Sequence, residues 1–103
     1  MQLDLVFRSL ADPIRRDILR AVLHADMTAG QLAERYDVSF PAISKHLKVL
    51  EKARLIRKEK RGRLQVVSSV PETLQEADEY LEQYRRMWQG RHDKLHQLLQ
   101  KGE

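Results

Sequence analysis

Residues 39–53 read S-F-P-A-I-S-K-H-L-K-V-L-E-K-A, and the spacing within them decides how the chain folds. Ile43, Leu47 and Leu50 recur at i, i+4 and i+7, so they share one face of a helix. Ser39 stands at the N-cap position, where a hydroxyl accepts from a first-turn backbone N–H that has no partner inside the helix. Pro41 falls in that first turn, where a missing N–H costs little. The opposite face carries Pro41, Ser44, Lys45, Lys48 and Lys52. It offers hydroxyls and cations with few carboxylates, as a helix seated in a DNA major groove requires. An ordinary solvated surface helix fits the same stretch, so the flanking sequence has to decide.

Upstream, Thr28-x-x-Gln31 has the pattern of a capping box, opening a short helix from about Ala29 to Tyr36 that buries Leu32, Ala33 and Tyr36. Asp37-Val38-Ser39 is a turn of the length that joins two helices at a steep angle, with Val38 placed to fill that angle. Residues 28–53 therefore read as a helix-turn-helix. Further upstream, Leu3, Val6, Phe7 and Leu10 form an apolar stripe over residues 3–11. Asp12-Pro13 gives a cap and a proline at the first helical position. The next helix, to about Ala25, carries Ile14, Ile18, Leu19, Val22 and Leu23 on one side, with Arg15, Arg16 and Arg20 off it.

After Ala53 the period changes to alternation. Leu55–Arg61 and Leu64–Ser69 flank Gly62, predicting a β-hairpin over 55–69 that packs on the helices through Leu55, Val66 or their neighbours. Its tip carries Lys60, Arg61 and Arg63. A cationic hairpin following such a helix is placed to reach backbone phosphates or an adjacent minor groove; lysines that blunt a sheet edge are the plainer explanation.

Pro71 opens the last element. Leu74, Ala77, Leu81, Tyr84, Trp88, Leu95 and Leu98, with Arg91 in the vacant slot, step 3-4-3-4-3-4-3, the seam of a helix pair. A helix over 71–99 would be roughly 40 Å long at 1.5 Å per residue, more than so small a body covers. A two-fold symmetric partner would bury Leu3, Val6 and Phe7 of the first helix with Leu81, Tyr84, Trp88, Leu95 and Leu98 of the last. The alternatives are a helix folded back on its own core, or a frayed end.

The chain has 103 residues, enough for one domain with a modest core. Net charge is +4, but unevenly placed. Residues 1–39 hold five Lys/Arg against six Asp/Glu, residues 40–70 nine against two, and residues 71–103 five against seven. The middle third is thus a cationic island, which points to a local polyanion-binding surface; a solvated lysine-rich hairpin is the bland equivalent. Cysteine is absent, excluding disulfides and thiolate metal sites, and no apolar run approaches a membrane span or a signal core. The expectation is a cytoplasmic protein with no membrane partner.

Together these residues resemble a known family. F-R-S-L-A-D-P-I-R-R-D-I-L (7–19) and Q-L-A-E-R-Y-D-V-S-F-P-A-I-S-K-H-L-K-V-L-E-K-A-R-L-I (31–56) are similar to winged-helix repressors of the ArsR/SmtB family. The end, Y-L-E-Q-Y-R-R-M-W-Q-G-R-H-D-K-L (80–95), is similar to a branch of it without metal-site cysteines. The resemblance implies homodimers with the first and last helices at the interface, binding imperfect inverted repeats in promoters and usually repressing. It departs from the metal sensors: Gln31-Leu32-Ala33-Glu34-Arg35 has no thiol where they carry a cysteine pair, and only His92, Asp93 and His96 stand near their zinc set. An i, i+4 histidine pair can chelate a divalent ion, but two histidines on a solvated helix are commonly plain surface residues. No metal and no cofactor are expected.

Catalysis finds no support in the sequence. The four glycines are isolated, so no phosphate loop is present, and no Ser/His/acid or paired-carboxylate setting occurs. His46 reads as a packing or hydrogen-bonding residue and His24 as a helix-end cation. Tyr80, Tyr84 and Trp88 read as a packed seam, with a small-molecule cavity as the alternative. No residue pattern specifies an inducer, small molecule or protein.

The expected architecture is mainly α with a small β-hairpin: one winged helix-turn-helix domain over 1–103, with dimerisation helices at 1–11 and 71–99. The expected function is sequence-specific binding of double-stranded DNA. Ser39, Phe40, Pro41, Ser44 and Lys45 would reach base edges, and Lys48, Lys60, Arg61 and Arg63 would hold phosphates. The rival is an antitoxin-like adaptor that docks a protein through its last helix, the basic hairpin being incidental.

Overall fold

Side chains expected to cap helices do so in the computed structural model, which describes residues 3–101. Its order is α1 (Leu3–Ser9), α2 (Pro13–His24), β1 (Met27–Thr28), α3 (Ala29–Arg35), α4 (Phe40–Lys52), β2 (Ile56–Arg61), β3 (Leu64–Ser69) and α5 (Pro71–Lys101). Asp12 Oδ1 accepts from the backbone N–H of Ile14 at 2.8 Å and of Arg15 at 3.1 Å. The capping box at α3 closes in both directions: Gln31 N–H donates to Thr28 Oγ1 (3.1 Å) and Thr28 N–H donates to Gln31 Oε1 (2.9 Å). Ser39 Oγ accepts from Ala42 N–H at 3.2 Å. Each such cap is worth about 1 kcal/mol, because an orphan donor would otherwise go unpaired.

The helix ends follow a different device. α3 and α4 both close in Schellman turns built without glycine. After α3, Asp37 N–H donates to Glu34 O and Val38 N–H to Ala33 O; after α4, Arg54 N–H donates to Glu51 O and Leu55 N–H to Leu50 O. Asp37 (φ 51°) and Arg54 (φ 62°) therefore sit in the left-handed region. α1 ends at Ser9, two residues before the expected limit, because α2 caps it: Arg15 Nε donates to Ser9 O and Nη2 to Arg8 O, and Arg16 Nη1 donates to Leu10 O.

The core lies where α2, α3 and α4 meet the sheet. Ile18, Leu32, Ile43, Leu47, Leu50, Leu55 and Val67 are fully buried there. Each large side chain contributes about 1.5–3 kcal/mol by leaving water. Leu23 is exposed and Ile14 only partly buried, so the α2 stripe is narrower than its spacing suggests. Tyr36, expected to be buried, is partly exposed, with the Arg35 guanidinium 5.9 Å from its ring centroid.

The sheet departs from the expected hairpin by one strand. β1 pairs antiparallel with β3, Met27 opposite Val67 and Thr28 opposite Val66, giving the order β1-β3-β2. Two residues are too short to show alternation, so only the tertiary fold reveals them. Their pairing puts β3 in the centre, which anchors a hairpin that would be marginal alone. β2 and β3 pair from Ile56 opposite Ser69 to Arg61 opposite Leu64.

α5 runs 31 residues, about 46 Å at 1.5 Å per residue. Its first three turns pack on the body: Thr73 and Ala77 are buried, Leu74 is partly so, and the Tyr80 ring meets Phe7 of α1. The principal extents of 70 × 27 × 22 Å express that projection. Among the described residues, no helix is long and apolar enough to cross a membrane.

Asp12 gives a direct check of the capping argument. The Arg15 N–H hydrogen bond, then the nearby His46 charge, hold its carboxyl below the ordinary 3.8. A lowered folded-state value means the contribution is complete above the ordinary carboxyl range and is lost as pH falls through that lowered value. Asp12→Ala should therefore cost about 1 kcal/mol at neutral pH in urea unfolding. The gap to the parent chain should close in strong acid.

Candidate nucleic-acid interface

The α4 surface divides cleanly. Ile43, Leu47 and Leu50 are buried, while Ser39, Phe40, Pro41, Lys45 and Lys48 are exposed and Ser44 half-buried. This sorting follows from the 3.6-residue period, which turns 43, 47 and 50 to the core and leaves 41, 45 and 48 outside. Phe40 is 54% exposed at the first helical position, a large ring left in water at the tip of the helix. The Ser39 hydroxyl is already an acceptor as the cap. Its proton remains available to an outside acceptor, since a hydroxyl donates once and accepts twice. His46 is partly buried and near enough to Asp12 to act on its carboxyl electrostatically, in keeping with a structural role.

The hairpin tip is a two-residue loop, Gly62-Arg63, closed by the Arg61–Leu64 pair. Gly62 has φ 62°, the first central position of a turn that demands a positive φ. A Cβ there would meet no atom within 4 Å, so backbone conformation alone selects glycine. Lys60, Arg61 and Arg63 are all exposed around this turn. Arg61 Nη2 lies 3.2 Å from Glu59 Oε2, a solvated pair that contributes little and yields readily to a stronger anion. Leu64, 56% exposed, stands beside them, so the tip is not purely cationic.

One ion pair that sequence reasoning missed braces the two elements. Lys58 Nζ on β2 lies 3.2 Å from Glu51 Oε1 in the last turn of α4, with the Lys58 side chain mostly covered. No periodicity links positions 51 and 58; only the packing of β2 on α4 brings them together. Both carboxylates of the cationic third, Glu51 and Glu59, are thus engaged by hairpin cations.

The residues expected at a dimer seam divide differently. Val6 is fully buried within the single chain and belongs to its core, which corrects its assignment to an interface; its stripe faces α4. Leu3 is half-buried. Phe7, Tyr80, Leu81, Tyr84, Trp88, Leu95 and Leu98 are exposed, as are Met87 and Leu99, which the seam pattern omitted. Phe7 and Tyr80 join α1 to α5, ring centroids 6.4 Å apart. Tyr80 and Tyr84 follow edge-on at 5.5 Å with their hydroxyls 3.0 Å apart, a hydrogen bond that raises the Tyr80 phenol above 10.0.

His96 lies on the exposed second half of α5, and the His92 side chain lies outside the described residues. Among the described residues, no three His, Asp or Glu side chains gather as a metal site would require.

Comparison with known proteins agrees with this geometry. The family described as "Bacterial regulatory protein, arsR family" matches residues 12–58, which run from the α2 cap into β2. The Transcriptional repressor SdpR of Bacillus subtilis (strain 168) is 44% identical over 57 residues, covering 55% of this chain and 63% of that protein. The HTH-type transcriptional regulator Rv2034 of Mycobacterium tuberculosis (strain ATCC 25618 / H37Rv) is 45% identical over 53 residues, covering 52% and 50%. The chain thus matches only about half to two thirds of the length of these relatives. The solved ArsR-like Transcriptional Regulator from Rhodococcus sp. RHA1 superposes with a TM-score of 0.81 at 33% identity, over 98% of this chain and 93% of that one. The likeness therefore extends through the hairpin and the long last helix, giving a winged-helix fold. The chain belongs to the ArsR family of DNA-binding transcriptional regulators, proteins that bind DNA and are not enzymes.

Proposed function

We propose that the protein is a homodimeric repressor that binds an inverted-repeat operator. The observation that carries this reading is the pairing of a helix whose outer face is hydroxyl, aromatic and cationic with a cationic hairpin next to it. The repressor sign is supported by the Bacillus subtilis relative, SdpR, which is a transcriptional repressor. In this reading α4 is the recognition helix. Ser39, Phe40, Pro41, Ser44 and Lys45 reach base edges, with Phe40 or Pro41 against thymine methyls. Lys48, Lys60, Arg61 and Arg63 take phosphates. Two recognition helices enter successive major grooves about 34 Å apart.

The dimer reading rests on α5. Placed at 100° per residue, its apolar side chains span an arc of roughly 140°, wider than the seam of a two-helix coiled coil. Such an arc has room for two helices of a partner, its α5 and its α1. Charge favours an antiparallel arrangement. Residues 71–84 hold five carboxylates and no Lys or Arg, whereas residues 85–101 hold five Lys/Arg and one Asp. An antiparallel partner sets the acidic half of one helix beside the basic half of the other; a parallel one sets like on like.

The test is binding to the upstream region of its own gene against a scrambled duplex of equal length, at two salt concentrations. Tight, sequence-dependent binding by two protomers supports the reading. Weak binding, equal on both duplexes and abolished by salt, would sink it and bring the adaptor forward. Arg61→Ala or Arg63→Ala should weaken binding to every sequence and lower the salt slope by about one unit for each phosphate left without its cation. Ser44→Ala or Lys45→Ala should instead change which sequences are preferred, by about 1–3 kcal/mol at the affected base pair.

Sedimentation checks the seam separately. The parent chain should run at about twice its 12.1 kDa. Trp88→Glu, which buries a charge against the partner without touching the core, should shift it to a single chain. Dimer mass retained by that variant would remove Trp88 from the interface.

A further inference from the structure

The two helices outside the reading head are fastened to the same end of α4. From α1, Val6 is fully buried and the Ser9 hydroxyl, which donates to Leu5 O at 2.7 Å, lies 3.4 Å from Val49 O. From α5, the Thr73 hydroxyl donates to Arg54 O at 2.6 Å, and Val70 N–H, just ahead of the helix, donates to Leu55 O at 3.0 Å. Thr73 is 8% exposed, enclosed beside Leu74 and Ala77.

Arg54 is an unusual acceptor. Its φ of 62° closes the Schellman turn after α4 in a conformation that disfavours residues with a Cβ. Such a residue persists where its surroundings over-determine it. Here its own N–H is held by Glu51 O and its carbonyl by Thr73. The joint between α4 and α5 is therefore fixed from both sides, in the first turn of α5.

Geometry gives that joint leverage. The 13 residues of α4 span about 20 Å, so turning the packed α2–α4 body by about 10° relative to α5, about the C-terminal end of α4, moves the N-terminal tip of α4 by about 3.5 Å, close to one base-pair step. We propose that Thr73 is a positioning residue: by holding the Arg54 carbonyl it fixes the angle between α4 and α5, and so sets the half-site spacing that the dimer accepts. The inference rests on the homodimer and operator reading above and adds to it the residue that selects spacing.

The experiment compares the full chain with Thr73→Val, which keeps the shape and removes the donor, and Thr73→Ser, which restores the donor. Each is titrated with the upstream inverted repeat, the same duplex with one base pair inserted between half-sites, and a single half-site. Thr73→Val should keep its dimer mass and its half-site affinity within about twofold, while its preference for native over lengthened spacing drops about tenfold. Thr73→Ser should recover that preference. Arg54→Gly, which suits the left-handed turn and keeps the backbone carbonyl that Thr73 holds, should leave the spacing preference at the parent value. Wild-type spacing preference in Thr73→Val overturns the inference, as does a spacing preference that broadens in Arg54→Gly or fails to return in Thr73→Ser. So does a Thr73→Val loss that is equal on half-site and full site, the mark of a merely structural residue. If the parent chain itself fails to distinguish the repeat from scrambled DNA, the operator reading falls first, and this result is separable from the others.

Discussion

The structure depends on the packing around the last turn of α4. Leu50, Ala53 and Leu55 are buried at that point, and the chain reverses there through a left-handed arginine into the first long strand. Val6 of α1, Ile56 of β2 and the Thr73–Ala77 segment of α5 belong to the same buried neighbourhood of the fold. A helix held so firmly along its inner face, from Ile43 to Leu50, can leave its outer face and its Phe40 tip in water without losing its place. That is the condition for a reading element: a rigid base, and a tip whose exposed Phe40 and lysines are free for a ligand. Loss of Leu50 alone would cost about 2–5 kcal/mol, a large part of the stability of so small a domain.

The hairpin shows how a weak element is made rigid enough to be useful. Two strands in water are marginal. Here β1 covers one side of β3, Val67 joins the core, and the Lys58–Glu51 pair ties β2 back to α4. The cationic tip is thus carried on a braced arm whose orientation relative to α4 is set by packing and not by the turn itself.

α5 presents the opposite case. Most of its apolar side chains are exposed in the single chain, with Met87, Trp88 and Leu99 each about two-thirds exposed or more. It is on this exposed run that the proposed dimer rests. Its polar face is tied up internally: Arg85 reaches Asp78 and Glu82, and Arg86 reaches Glu82, where the acidic half meets the basic half. These exposed pairs support the helix across its own charge boundary more than they stabilise the fold.

Much of this was legible in the residues. Asp12-Pro13, Thr28-x-x-Gln31 and Ser39 located three helix starts because capping is a local hydrogen-bonding matter decided within four residues. The 43-47-50 spacing located the inner face of α4, and Gly62 located the hairpin turn, for similarly local reasons. Sequence resemblance then named the family, which the comparisons bear out. What it did not carry were the interactions between positions far apart. Met27–Thr28 as a third strand, Val6 turned inward, the Glu51–Lys58 brace and the Thr73–Arg54 joint have no periodic signal, because each depends on how finished elements dock. Arg54 even hides its turn, since glycine is the residue that usually announces one. The sequence determined which helices and which hairpin form and what chemistry their outer faces offer, because propensity, capping and periodicity act over a few residues. The tertiary structure alone decided which of those faces are buried in the core and which remain exposed, because burial is a property of the assembled packing.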